Sequence, residues 1–201
     1  MAKIFRACLF LIIPFTLTRV GYAQTTPTNV SKSIQLTEVD ANEVAAPDYS
    51  GRARGLITGG HSSDDWLQVY VEFDTAAKWT DEITFTFYLA LQGDPSNLPE
   101  GSKPVNVFKG STTIYNVPGE RGHMADAFLD ANTFERYGDV FAIAVVAEVN
   151  GEPPVLLTKQ PSSLQGRAWW ETETPNFIEL LSRYDSPYRL IEVDEQGTTQ
   201  P

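Results

Sequence analysis

The feature that most constrains this chain is a pair of alternating apolar runs between Trp66 and Gln92. Leu67, Val69, Val71 and Phe73 recur at every second position, and Ile83, Phe85, Phe87, Leu89 and Leu91 do the same one segment later. A period of two puts these side chains on one face of an extended chain and Thr84, Thr86, Tyr88 and Ala90 on the other, as in half-buried antiparallel strands. The link from Asp74 to Glu82 is too long for a two-residue hairpin. The two strands are therefore expected to bring their apolar faces to a common core from opposite sides.

Further strands are expected around this pair. Ile34 to Val39 alternates with a mixed face, and Val105–Phe108 and Thr112–Val117 read as short strands split by Gly110 and closed by Pro118-Gly119. Asp139 to Val149 carries Val140, Phe141, Ile143, Val145 and Val146 separated by small alanines, which predicts a strand covered on both faces. Asn150-Gly151 is a strong two-residue hairpin signal. The return strand, Val155 to Thr158, should begin late and lie at a sheet edge, because Pro153 and Pro154 have no amide hydrogen to donate. Arg167 to Trp170 reads as one more short strand. Asn132-Thr133-Phe134-Glu135, stopped by Gly138, predicts a one-turn helix. Thr174-Pro175 followed by Phe177, Leu180, Leu181 and Tyr184 predicts a short C-terminal amphipathic helix. Many short strands with turns between them and no βαβ alternation indicate an all-β fold, an antiparallel β-sandwich.

The amino terminus reads as an address. Lys3 and Arg6 precede the apolar run Ala7 to Leu17, and Gly21-Tyr22-Ala23 supplies small-residue cleavage chemistry before Gln24. Residues 1–23 are expected to be a secretory signal peptide, and 24–33 a flexible leader. Cys8 falls inside the apolar run, so the mature chain holds no cysteine, and disulfide and thiol chemistry drop out. Cleavage removes Lys3, Arg6 and Arg19 and no acid, taking the formal charge from −11 to −14. A surface of that sign repels phosphate backbones, so nucleic acid is excluded as a partner. No second long apolar run follows, and the mature chain is expected to have no membrane span.

Catalytic constellations are sparse. His61 and His123 are the two imidazoles, and no metal-binding His-Glu-x-x-His spacing exists. Ser62 and Ser63 lie in no nucleophile elbow. The glycines between Gly51 and Gly60 match neither phosphate-cradling spacing. Asp64, Asp65, Asp126, Asp130, Glu171 and Glu173 leave a carboxylate-dependent hydrolase as a third reading. The expectation is no catalytic, cofactor-binding or metal site. The candidate interaction surface is Trp169 and Trp170, whose adjacent rings face opposite sides of a strand, together with the edge at Val155 and Leu157.

Four stretches carry a family resemblance. They are Trp66-Leu67 leading into an alternating strand, Gly110 to Gly119 (Gly-Ser-Thr-Thr-Ile-Tyr-Asn-Val-Pro-Gly), Phe134-Glu135-Arg136-Tyr137-Gly138 turning into a buried strand, and Trp169-Trp170-Glu171 ahead of Leu180-Leu181. On these the chain resembles the secreted pilus-like proteins of Verrucomicrobia. The resemblance implies an immunoglobulin-like sandwich, association with a type IV pilus-like gene cluster, and a non-catalytic role. The expected organisation is a signal peptide (1–23), a leader (24–33), an immunoglobulin-like sandwich (34–170) and a C-terminal helix and tail packed on it (171–201). The expected function is protein–protein contact in a cell-envelope or pilus-like apparatus, after export to the periplasm, outer-membrane surface or exterior. A carbohydrate-binding or adhesion module that takes surface glycans is the alternative.

Overall fold

A computed structural model describes residues 22–25, 33–47, 65–96 and 98–190, with only the backbone of 22–25. Residues 1–21 of the expected signal peptide, most of the expected leader, the glycine-rich stretch from Gly51 to Gly60, His61 and the tail from Ile191 lie outside the described residues. No described helix is long and apolar enough to cross a membrane.

The fold is an all-β sandwich of two antiparallel sheets. One holds β1 (Tyr22–Thr25), β8 (Val155–Pro161), β7 (Asp139–Val149), β4 (Trp79–Gln92) and β5 (Val105–Pro118), in that order. The other holds β2 (Ile34–Val44), β3 (Trp66–Thr75), β6 (His123–Leu129) and the two-residue β9 (Leu181–Ser182). The two runs that dominate the sequence become β3 and β4, one in each sheet. Their inward faces form the middle of the core, where the Phe73 and Phe85 ring centroids are 4.8 Å apart. Alternation drives this arrangement, since every second residue of β3 is buried and the residues between are half-exposed.

Two local expectations change. Val105–Phe108 and Thr112–Val117 are one continuous strand, with Gly110 inside it. The helix α1 (Ala131–Tyr137) is longer than one turn, because Asp130 caps it by accepting a hydrogen bond from the Thr133 amide at 3.0 Å. Gly138 ends it in the left-handed region at φ 94°, its amide donating to Phe134 O.

The largest change lies after Pro161. Trp169 and Trp170 sit not on a strand but on a single helical turn, α2 (Trp169–Thr172). The expected amphipathic helix from Pro175 to Tyr184 is an extended strap with a two-residue strand and a 3₁₀ turn. Its backbone is taken by the edge of β5: Asn176 N–H donates to Val107 O and Leu180 N–H to Lys109 O. Bonds to an existing sheet edge replace those a helix would make internally, and Phe177 is left 90% exposed on the far side.

Candidate interaction surface

Each outer face of the sandwich is covered by a different part of the carboxyl-terminal third. On the five-stranded sheet, Trp169 packs over Ala90, Val107, Ala142 and Ala144. Its indole N–H donates to Gln160 Oε1 at 2.8 Å, which satisfies two polar groups that burial would otherwise penalise. Trp170 is half-buried, edge-on to Trp169 at 5.8 Å. On the four-stranded sheet, Asp126 is nearly buried at 4% exposure and accepts from both Arg183 Nε and Nη2, and from Gln68 Nε2 at 2.8 Å. Tyr188 stacks on Phe128 at 4.5 Å, and its hydroxyl lies 2.9 Å from both Val44 O and Ala45 O as donor. The strap crosses between these faces over β5.

The residues singled out from the sequence therefore have internal partners. Val155 and Leu157 point into the core, at 1% and 3% exposure. The outer edge of β8 is paired with β1 from Thr158 to Pro161, in the register Thr25↔Thr158 to Tyr22↔Pro161. β2 lies alongside β8 as well, tied by Lys159 Nζ to Asp40 Oδ1 at 2.5 Å and by Ser33 Oγ donating to Glu152. The edge beside Val155–Thr158 is thus flanked by the chain's own strands. Covering Trp169 also removes it as a ring for an outside ligand. Among the weighed carboxylates, Asp126 is bound by Arg183, Asp130 caps α1 and Glu173 pairs with Lys103 at 3.0 Å. His123 stacks on Phe73, with Nε2 3.1 Å from Pro118 O. No group of three or more histidine, cysteine or acidic side chains able to hold a metal occurs among the described residues.

A different edge is open. The Val107 and Lys109 carbonyls point away from β4 into the strap, and strand alternation gives the same outward direction to the backbone groups of Ser111, Thr113 and Tyr115. The strap leaves β5 at Gly110 and passes to the other sheet, where Leu181 and Ser182 pair with Phe128 and Ala127. Beyond it, Ser111, Thr113 and Tyr115 make no backbone bond on that side among the described residues. Two exposed aromatics flank this edge, Tyr115 at 63% and Trp79 at 59%. Tyr115 lies opposite Glu82 and Trp79 opposite Pro118 in the β4–β5 ladder, which gathers rings and the acids Asp81 and Glu82 at one end of the sheet. Sequence reasoning passed over this edge because Thr112 to Val117 reads as an ordinary strand. What leaves it open is where the strap departs.

In the solved structures, a crystal structure of a protein from Akkermansia muciniphila matches with a TM-score of 0.59 and 18% identity, covering 81% of this chain and 90% of that one. At that identity the likeness shows the sandwich alone. No curated protein matches the chain. A family model matches residues 25–200, and the chain belongs to the family that it describes.

Proposed function

We propose that this protein is an exported, non-catalytic component of a pilus-like envelope apparatus and works by protein–protein contact, with the open edge of β5 as its contact surface. The observation that carries the reading is the run Ser111, Thr113 and Tyr115, whose outward backbone groups make no hydrogen bond among the described residues and stand beside two exposed aromatic rings. An exposed edge with these properties accepts an extended segment by strand addition, in which backbone hydrogen bonds give affinity and flanking side chains give selectivity. The resemblance of Gly110–Gly119, Phe134–Gly138 and Trp169-Trp170-Glu171 to pilus-like proteins supports a surface role. The acids Asp81 and Glu82 beside Trp79 and Tyr115 favour a partner segment with lysine or arginine at alternate positions, since rings and carboxylates both attract cations. Two antiparallel sheets with β2 lying along β8 agree with an immunoglobulin-like arrangement. In this reading residues 1–23 are removed on export, which takes Tyr22 and Ala23 from β1 and bares the outer edge of Gln160 and Pro161.

The test is a photo-crosslinking residue in place of Tyr115 in the native cell. The expected result is a covalent adduct with a component of the pilus-like apparatus, lost when Thr113→Pro removes an outward amide hydrogen that the fold itself does not use. An adduct that survives Thr113→Pro in protein of normal melting temperature, or no adduct at all, contradicts the proposal.

A further inference from the structure

At the opposite end of β5 a cleft of about 450 Å³ opens between the turn at 99–104, the end of α1 and the first residues of the strap. It lies within the size range of small-molecule sites. Tyr137 lines it. The Tyr137 ring is buried, 4% exposed and edge-on to Phe108 at 5.2 Å, while its hydroxyl has no hydrogen-bond partner among the described residues. That oxygen is not sealed in either, since Thr80 Oγ1 is the one fully buried side-chain polar atom without a partner among them. A tyrosine buried in this way is therefore wetted from the cleft and offers it a donor and an acceptor.

The charges around it cancel. Lys103 is paired with Glu173 at 3.0 Å, and of the remaining lining charges Arg136 and Glu100 are one cation and one acid. An anionic ligand would meet two acids and a cationic one two bases, so the lining favours a neutral ligand rich in groups that both donate and accept. The side-chain amides agree. Asn106 spends Nδ2 on Lys103 O and keeps Oδ1, while Asn176 spends Oδ1 on the Ile178 amide and keeps Nδ2. Phe177, which also lines the cleft, is 90% exposed and offers its ring as a flat apolar platform. An aromatic platform beside mixed donors and acceptors suits a pyranose ring, whose C–H face stacks while its hydroxyls bond at the edges.

We propose that this cleft is a binding site for a neutral carbohydrate, with Phe177 as the stacking platform and Tyr137, Asn106, Asn176 and Arg136 as its hydroxyl partners. The site shares no residue with the open edge of β5, and it stands or falls independently of the contact proposed there. The test is amide chemical-shift titration of the full chain with a panel of neutral mono-, di- and trisaccharides, lactose, cellobiose, maltose and N,N′-diacetylchitobiose among them. At least one is expected to give saturable shifts centred on Asn106, Arg136 and Asn176. Phe177→Ala should weaken that binding at least tenfold and Tyr137→Phe several-fold, both with an unchanged melting temperature. No saturable shift with any neutral sugar overturns the proposal. So does binding indifferent to Phe177→Ala, or a preference for the corresponding uronic acids.

Discussion

The most consequential single residue in the architecture is Gly110, because no other residue allows the strap to approach β5 as it does. A Cβ built there would lie 2.2 Å from Leu180 O, well inside contact distance, and the obstacle is backbone that cannot swing aside. Gly110→Ala is expected to cost about 1–3 kcal/mol through this overlap, and to speed exchange of the Leu180 amide, whose bond to Lys109 O is the next contact along. Unchanged Leu180 exchange would mean that the strap is held elsewhere. Thr80 is the opposite case. Its hydroxyl is buried without a partner among the described residues, so Thr80→Val removes an uncompensated polar group from a site of nearly the same shape. The variant should gain about 1 kcal/mol, which for a chain of this size raises the melting temperature by about 2–4 °C. A fall in melting temperature would show that the hydroxyl is satisfied in solution.

At the scale of elements, what was legible in the sequence follows one physical rule. Strands whose inward residues are large and apolar announce themselves, β3 and β4 through period two and β7 through a near-continuous apolar run, and fall where those patterns put them. β6 was not read as a strand. Its inward positions are Ala125, Ala127 and Leu129, two of them small, and its outward positions include Asp126, whose burial depends on Arg183 from 57 residues further along the chain. No local pattern carries that information. The strap was misread for a related reason, since Phe177, Leu180, Leu181 and Tyr184 have helical spacing but Phe177 and Tyr184 end up exposed. Long-range bonds to β5 override a local period of 3.6 when the segment is short, because a helix of so few residues is marginal on its own. The chain turns at Asn150-Gly151, Glu152 N–H donating to Val149 O with Gly151 at φ 80°, but Asn150 does not take the positive φ of a two-residue hairpin, and β8 starts only after Pro153 and Pro154. The edge that this hairpin suggested is flanked by β1 and β2, pairings that separation in sequence concealed.

For the whole molecule, the carboxyl-terminal third decides which surfaces remain for function. Residues 162–190 cover part of both outer faces and half of one sheet edge, through Trp169, Leu180, Arg183 and Tyr188 in turn. They leave the far half of β5 with its two aromatics, and they build one wall of the cleft beside Tyr137. Fold membership by itself assigns no activity to a sandwich. The functional reading therefore rests on that open half-edge, and the most direct measurement is hydrogen exchange along β5 in the isolated full chain and in the assembled envelope apparatus. In the isolated chain the amides of Ser111, Thr113 and Tyr115 should exchange far faster than those of Phe108, Gly110 and Thr112, which point toward β4, and assembly should slow them by at least tenfold. Protection of all three in the isolated chain, or exchange that assembly leaves unaltered, would contradict a role for this edge in partner contact.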